Sequence, residues 1–401
     1  MTLERPGTST DANSPAPSKG RTVVSIGIIA WNEEKAIGSA LKSLFQQSLF
    51  AKLQQRGLKC EIVCAANGCT DGTPAIAARV FQEQLLSHPC REAFTARALD
   101  IKERGKINAW NLFVHNLSEP EAEFLFLMDA DIQFLNEDTL WNMFTALEQK
   151  AEASISTDRP CKSLAFKEHK SLLEKFSLRA SQMTQAGDAQ LCGQLYCIRS
   201  EVARRIYLPR DLTACEDGFI KAVVCTDFLT GPVMPGRIVL AKEAAHAFEA
   251  YTSPGAILRN QKRQMIGQAI VHILVDDYLK TLSLSERLNL AGTLKEKEGC
   301  DPLWLKRLIG EHLRKTKHFW HLIPGVASFR FKRLARLSGI KKVACMPTAL
   351  AGFAVSMVSC FMAFDFLKQG STNYWPHGKS PTLAAGGFGN ATDLATSGPQ
   401  N

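Results

Sequence analysis

Two aspartates one residue apart, Asp129 and Asp131 in Asp129-Ala130-Asp131, close the apolar run Phe124-Leu125-Phe126-Leu127-Met128. The run reads as a buried strand. Carboxylates at i and i+2, where a strand gives way to a loop, offer oxygen ligands to a hard divalent cation. Open parallel sheets bind their ligands at that edge. A cation held there with open positions grips a phosphate-bearing substrate. Aspartates are common in loops, so the pair takes its meaning from what lies upstream and downstream.

The elements that must position the pair alternate in type. Val23–Ile29 is a β-branched run broken only by Ser25 and Gly27, as in a buried parallel strand. Asn32 is expected to cap a helix start, with Glu33 and Glu34 in its first turn. Ile37, Leu41, Leu44 and Phe45 then recur at helical spacing. Glu61–Ala65 reads as a second strand, ended by the loop Asn67-Gly68-Cys69-Thr70-Asp71-Gly72, with a helix through Ala75–Leu86. Ala98–Ile101 is a short third strand, and a helix over Lys106–Asn116 leads to the Phe124 strand. This alternation predicts an α/β fold with a doubly wound, mostly parallel sheet. The stretch 151–245 is mixed, and Ser253–His272 is helical again.

Composition is that of an ordinary globular protein, 45% hydrophobic and 22% charged over 401 residues. The net charge of +9 is concentrated: Lys306–Lys342 holds eleven Lys or Arg and one acid, Glu311. The twelve cysteines show neither C-x-x-C pairs nor zinc spacing, which predicts a reducing, cytosolic environment. Residues 1–20, rich in Pro, Ser, Thr and Gly, are expected to be a disordered tail, with no signal peptide. Val343–Phe364 is 22 residues without a charge. As a helix it spans about 33 Å at 1.5 Å per residue, and a bilayer core needs about 30 Å. Just before it, Phe331, Leu334, Leu337 and Ile340 form an apolar stripe among Arg330, Lys332, Arg333, Arg336, Lys341 and Lys342. A basic amphipathic helix of this kind suits an anionic membrane surface. Basic residues precede the span and few follow it, so the N-terminal part is expected to be cytoplasmic. The tail from Lys368 would lie across the membrane if the segment spans. The apolar span makes a membrane the expected partner of the basic stretch, and nucleic acid is not expected.

Several ordered motifs resemble those of family 2 inverting glycosyltransferases with the GT-A fold, over roughly residues 22–270. Ile28-Ile29-Ala30-Trp31-Asn32-Glu33-Glu34 is similar to the strand-end motif that lies against the nucleotide, with Ala30 in place of its proline. Ala66-Asn67-Gly68-Cys69-Thr70-Asp71-Gly72-Thr73 resembles an Asp-Asp-Gly-Ser-Thr-Asp-Gly-Thr loop. Asn67 stands there where an Asp often reads the uracil N3–H, and Asp71 and Thr73 are expected to be structural. Gly105-Lys106-Ile107-Asn108-Ala109-Trp110-Asn111 is similar to Gly-Lys-x-x-Ala-x-Asn. Its lysine opens a helix where N–H groups already favour anions. Cys215-Glu216-Asp217 resembles Thr-Glu-Asp. Asn260-Gln261-Lys262-Arg263-Gln264 keeps part of the Gln-x-x-Arg-Trp frame but lacks the tryptophan of processive polymer synthases. Gly193–Arg199 resembles the stretch on the acceptor side, with Arg199 either a surface residue or a phosphate contact.

The resemblance implies a metal-dependent transferase using Mg²⁺ or Mn²⁺. Ala30, Asn32, Glu34, Asn67, Lys106, Asp129 and Arg263 would bind the nucleotide-sugar donor. Asp131 and Asp129 would hold the metal, with His246 as a third ligand or a structural histidine. Asp217 would be the general base beside Glu216, and one displacement gives inversion. The acceptor is expected to be a lipid or lipid-linked glycan. The expected organisation is a tail over 1–20, a GT-A domain over 21–272, and a helical, basic membrane-proximal region over 273–342. A transmembrane helix over 343–367 and a flexible tail over 368–401 follow. The alternatives are a sugar nucleotidyltransferase and an inactive transferase-like scaffold or binding protein.

Overall fold

A computed structural model describes residues 20–372, apart from 168, 172–173, 175–177, 179–189, 252, 336 and 338. Most of the two expected tails, 1–19 and 373–401, therefore lies outside the described residues. The first half runs β1 (Arg21–Ala30), α1 (Ile37–Phe45), α2 (Leu49–Gln55), β2 (Leu58–Asn67), α3 (Thr73–Ser87), β3 (Phe94–Ile101), α4 (Lys106–Leu112), β4 (Phe124–Asp129), β5 (Gln133–Phe134) and α5 (Thr139–Glu148). Then come β6 (Ile155–Lys162), β7 (Leu195–Arg199), α6 (Ser200–Ala203), α7 (Glu216–Val224), β8 (Ile238–Phe248) and α8 (Pro254–Ile273). The helices α9 (Leu284–Leu288), α10 (Leu290–Cys300), α11 (Trp304–Lys315), α12 (Phe329–Ala335) and α13 (Gly339–Lys368) complete it.

The eight strands form one sheet in the order β3-β2-β1-β4-β7-β6-β8-β5. Four of the seven pairings are parallel and three antiparallel. The doubly wound half is β3-β2-β1-β4, so Ala30, Asn67, Ile101 and Asp129 end at one edge. Successive side chains of β4 serve opposite cores. Phe124, Phe126 and Met128 pack with Ile26, Leu41 and Phe81. Leu125 and Leu127 pack with Trp110, Phe113 and Ile266. Gly27 makes that second face possible, because a Cβ there would lie 2.6 Å from the Phe113 ring.

Three expectations change. Asn32 does not cap α1, which starts at Ile37 after a turn over 33–36. It takes a left-handed conformation, φ +53°, and commits its side chain to the neighbouring loop: its Oδ1 accepts from Thr70 N at 2.8 Å. The helix expected over Lys106–Asn116 is regular only to Leu112 and then widens over Phe113–Leu117. The basic amphipathic stripe is not one helix. Gly339, φ +53°, starts a new helix after α12 has ended at Ala335.

Candidate active site

Lys106, the first residue of α4, lies under the sheet edge and meets two carboxylates. Its Nζ is 2.8 Å from Asp129 Oδ1 and 2.7 Å from Glu216 Oε1. It also donates to Gly193 O at 3.2 Å. The three ends arrive from different elements. Asp129 closes β4, and its N–H donates to Gln194 O at 2.8 Å, which draws Gly193 alongside. Glu216 and Asp217 open α7, after Cys215 has turned the chain with φ +59°. Gly267 of α8 lets that turn approach: a Cβ there would lie 2.7 Å from the Ala214 carbonyl and 2.8 Å from Cys215 Sγ. Gly193 is close-packed too, its Cβ position being 3.0 Å from Glu216 Oε1 and 3.5 Å from Asp217 Cβ.

The electrostatics divide the two acids. Burial opposes the charge on Glu216, but the Lys106 ammonium overcomes it, with help from Arg263, and holds the carboxyl below its usual range. Burial and the charge of Glu216 push Asp217 up to about 6, against the N–H groups of Gly218 and Gly193 and the charge of Lys106. Lys106 is raised, its two carboxylates outweighing burial. One acid is thus fixed ionised, and its neighbour is poised to exchange a proton near neutral pH.

Beside this centre the loops after β1 and β2 are latched together. Glu34 N–H donates to Asp71 Oδ2 at 3.1 Å, and Glu34 Oε2 accepts from Gly72 N at 3.1 Å. Asp71 Oδ1 accepts from Thr73 N and Oγ1. Asn67 is buried and joins three motifs. Its Nδ2 donates to Ala30 O at 2.8 Å, and its Oδ1 accepts from Gly105 N at 3.0 Å. The amide expected to read a base therefore also fixes the loop that presents Lys106. Arg104 stacks over the Trp31 ring at 3.9 Å, a pairing that the motif holding Trp31 does not reveal.

Asp131 is buried two residues beyond Asp129. His246 lies on β8 opposite Phe134 of β5, the strand that follows Asp131. Its ring is fully buried, with Nδ1 2.7 Å from Asp158 Oδ2. A register shift in β6 between Thr157 and Arg159 marks the place of Asp158. His246 Nε2 has no hydrogen-bond partner among the described residues. A carboxylate-oriented histidine with a bare second nitrogen is the usual arrangement behind a metal. Among the described residues no three His, Cys, Asp or Glu side chains already form a cage. The donors nonetheless fit Mg²⁺, which binds through one or two carboxylates plus substrate phosphate and water.

Sequence reasoning missed Asp158, which lies in no motif, and the carbonyl of Gly193. Their signals are pairings across more than 80 positions, invisible without the fold. Arg199 is neither a free surface residue nor a phosphate contact. It donates to the carbonyls of Leu147, Lys150 and Ala153 and so closes the C-terminal end of α5. The twelve cysteines are all free thiols.

Residues 25–204 match the family model described as Glycosyl transferase family 2. The matched stretch contains Lys106, Asp129 and Asp131 and ends before Glu216. No curated protein sequence matches the chain. Among solved structures, the mannosyltransferase PcManGT from Pyrobaculum calidifontis, in complex with GDP-Man and Mn²⁺, is similar at 16% identity and a TM-score of 0.49 over 87% of each chain. TarS 1-349 of S. aureus in complex with UDP-GlcNAc is similar at 15% identity and a TM-score of 0.42, over 88% of this chain and 93% of that one. Glucosyl-3-phosphoglycerate synthase from Mycobacterium tuberculosis, with Mg²⁺ and UDP, is similar at 13% identity and a TM-score of 0.41, over 66% and 81%.

Proposed function

We propose that this chain, whose residues 25–204 match the Glycosyl transferase family 2 model, is a glycosyltransferase that moves a sugar from a nucleotide-sugar donor to an acceptor hydroxyl, with inversion and with the help of Mg²⁺ or Mn²⁺. The observation that carries the reading is the Lys106 centre, where one half-buried cation joins Asp129 to Glu216 beside an Asp217 whose carboxyl is pushed up to about 6. Asp217 takes the acceptor's proton as its oxygen attacks the anomeric carbon from the face opposite the leaving diphosphate. Glu216 stays ionised on Lys106 and sustains the basicity of Asp217. Ala30, Asn32, Glu34 and Asn67 bound the nucleoside end. Lys106 and Arg263 face the diphosphate. Asp131 and Asp129 would hold the cation by oxygen, and His246 would have Nε2 left to give, since Asp158 engages Nδ1. When bound, the cation neutralises charge on the departing diphosphate.

The acceptor in this reading is a lipid or lipid-linked glycan at the cytoplasmic face of a membrane. The support is α13, whose Lys342–Lys368 stretch is long and apolar enough to cross a bilayer, together with the basic residues before it. A decayed scaffold would be expected to have lost some of Asp129, Asp131, Glu216 and Asp217, and all four stand. Sugar nucleotidyl transfer usually calls for a basic, Gly-rich first turn, and Trp31-Asn32-Glu33-Glu34 is acidic.

The test is donor binding by the detergent-solubilised chain. UDP-, GDP-, dTDP- and CDP-sugars are compared with and without Mn²⁺ by ligand NMR. One donor should bind with metal, and Asp131→Ala should abolish the metal-dependent part. No binding by folded protein would overturn the reading, and binding unchanged in Asp131→Ala would overturn the metal assignment.

A further inference from the structure

Helix α13 has the length and composition to cross a bilayer, yet its C-terminal half packs on α8 of the catalytic domain and its N-terminal half on α12. Its buried residues Cys345, Ala349, Ser356, Ser359, Cys360, Ala363 and Leu367 fall on one side of the helix, as spacings of three, four and seven place them. Cys360, Ala363 and Leu367 share an apolar core with Ile266 and Ile270 of α8. Phe361 meets Phe319 edge-on at 5.6 Å. Midway along, Gly352 leaves room for a guanidinium: a Cβ there would lie 2.5 Å from Arg330 Nη1. Arg330 Nε donates to Ser356 Oγ at 3.1 Å, and Phe331 packs on Phe353 at 5.3 Å. The basic helix α12 therefore lies against the middle of α13.

Past its C-terminal end the chain turns at Gly370, φ +76°, and returns to the catalytic domain. Thr372 is buried there. Its Oγ1 donates to Asp211 Oδ1 at 2.7 Å, and its carbonyl accepts from Thr213 Oγ1 at 2.7 Å. Asp217 is four residues beyond Thr213, at most about 14 Å of extended chain. The opposite face of α13 bears Val343, Met346, Leu350, Val358 and Phe361, all exposed. They form a row about 27 Å long at 1.5 Å per residue. Lys332, Arg333 and Lys342 are exposed nearby on α12 and at the start of α13.

We infer that α13 does not cross the membrane but lies along an anionic lipid surface, with this apolar row in the headgroup–acyl boundary and the flanking Lys and Arg on acidic headgroups. A crossing helix would carry Arg330, Lys332 and Arg333 to the bilayer centre, among the costliest places for charge. It would also pull Leu367 and Thr372 out of the catalytic domain. A flat helix keeps every contact and matches the charge of the surface. Both of its ends and the Glu216-Asp217 turn then stay on one side, and the acceptor reaches Asp217 from the plane of the membrane. The inference rests on the membrane-facing part of the reading above and not on the donor.

Vesicle flotation and sidedness of the full chain test it. The protein should float with phosphatidylglycerol/phosphatidylcholine vesicles and much less with phosphatidylcholine alone. The double variant Val358→Glu, Phe361→Glu should float at least about tenfold less, with unchanged circular dichroism and donor binding. In sealed inside-out vesicles from expressing cells, protease should remove a C-terminal tag from the same side as the catalytic domain. Cleavage of the tag only from the opposite side would show a crossing helix and overturn this inference, while leaving membrane attachment intact. Failure of the wild type to float would overturn both. Flotation of the double variant like wild type, or a dimer in solution that it dissociates while vesicles are ignored, would give the row another occupant. Donor binding is read on the same samples, so loss of the transferase reading would register separately.

Discussion

Replacing Lys106 with Met keeps the apolar stem and removes the charge that Asp129 and Glu216 share. Removing one partner of a buried ion pair costs about 3–5 kcal/mol, because the other charge is left behind. The Lys106 side chain is 20% exposed, Asp129 21% and Glu216 10%, so water relieves part of the penalty. The lower figure, about 3 kcal/mol near neutral pH, is therefore expected. The sign with pH follows from Glu216. In the wild type its folded pKa is depressed, so its contribution is present above the unfolded value and lost as pH falls through the folded one. Without Lys106, burial dominates and the folded pKa rises above the unfolded value of about 4.3. The variant then loses stability as pH rises from the unfolded pKa to the folded one, by about 1.4 kcal/mol for each pH unit between them. Urea denaturation of both proteins near pH 5 and near pH 8 reads this directly. The gap between them should be wider at the higher pH. An equal gap at both, or one below about 1 kcal/mol at pH 8, would refute the claim that Lys106 is the keystone of the site.

Three further outcomes follow from the geometry. The kcat/KM of transfer should rise with pH through about 6 as Asp217 loses its proton, and Glu216→Gln should move that limb to lower pH by removing the neighbouring charge; a limb that stays put would free Asp217 from Glu216. Gly267→Ala should cost about 1–3 kcal/mol by overpacking and slow transfer by displacing the Cys215 turn, whereas Gly299→Ala, with nothing within 4 Å of the new methyl, should be neutral or stabilising; thermal melts of the two distinguish packing from a general intolerance of Gly→Ala. Arg199→Ala should lower stability by about 1.5–3 kcal/mol through loss of charge-assisted bonds and leave donor affinity unchanged; a change in affinity measured by ligand NMR would return Arg199 to the phosphates.

Much of this was legible in the sequence where local pattern decides the structure. Buried parallel strands read as continuous apolar runs, so β1, β2 and β4 were visible, and with them the sheet edge that carries Asp129. The second partner of Lys106 was not visible, because Glu216 is brought to it by the turn at Cys215 and the close approach of Gly267 to Ala214. Asn32 misled for a local reason. A capping residue is also a residue that tolerates positive φ, and here bonds to Thr70 claim its side chain. The stripe from Phe331 to Ile340 has helical spacing, but Gly339 starts a separate helix, which lets α12 fold back against α13. Apolarity and the basic residues before it marked α13 as a span, and only its packed stripe and the buried Thr372 show which face is left exposed.

The most direct test of the account is Asp217→Asn, measured for donor affinity and for transfer in the same preparation. The substitution keeps shape and removes the proposed base. Donor affinity should stay within about twofold while transfer falls by at least about a hundredfold, the lower bound for loss of a general base. Transfer near the wild-type rate would place the base elsewhere, and a parallel collapse of donor affinity would make Asp217 part of the donor site instead.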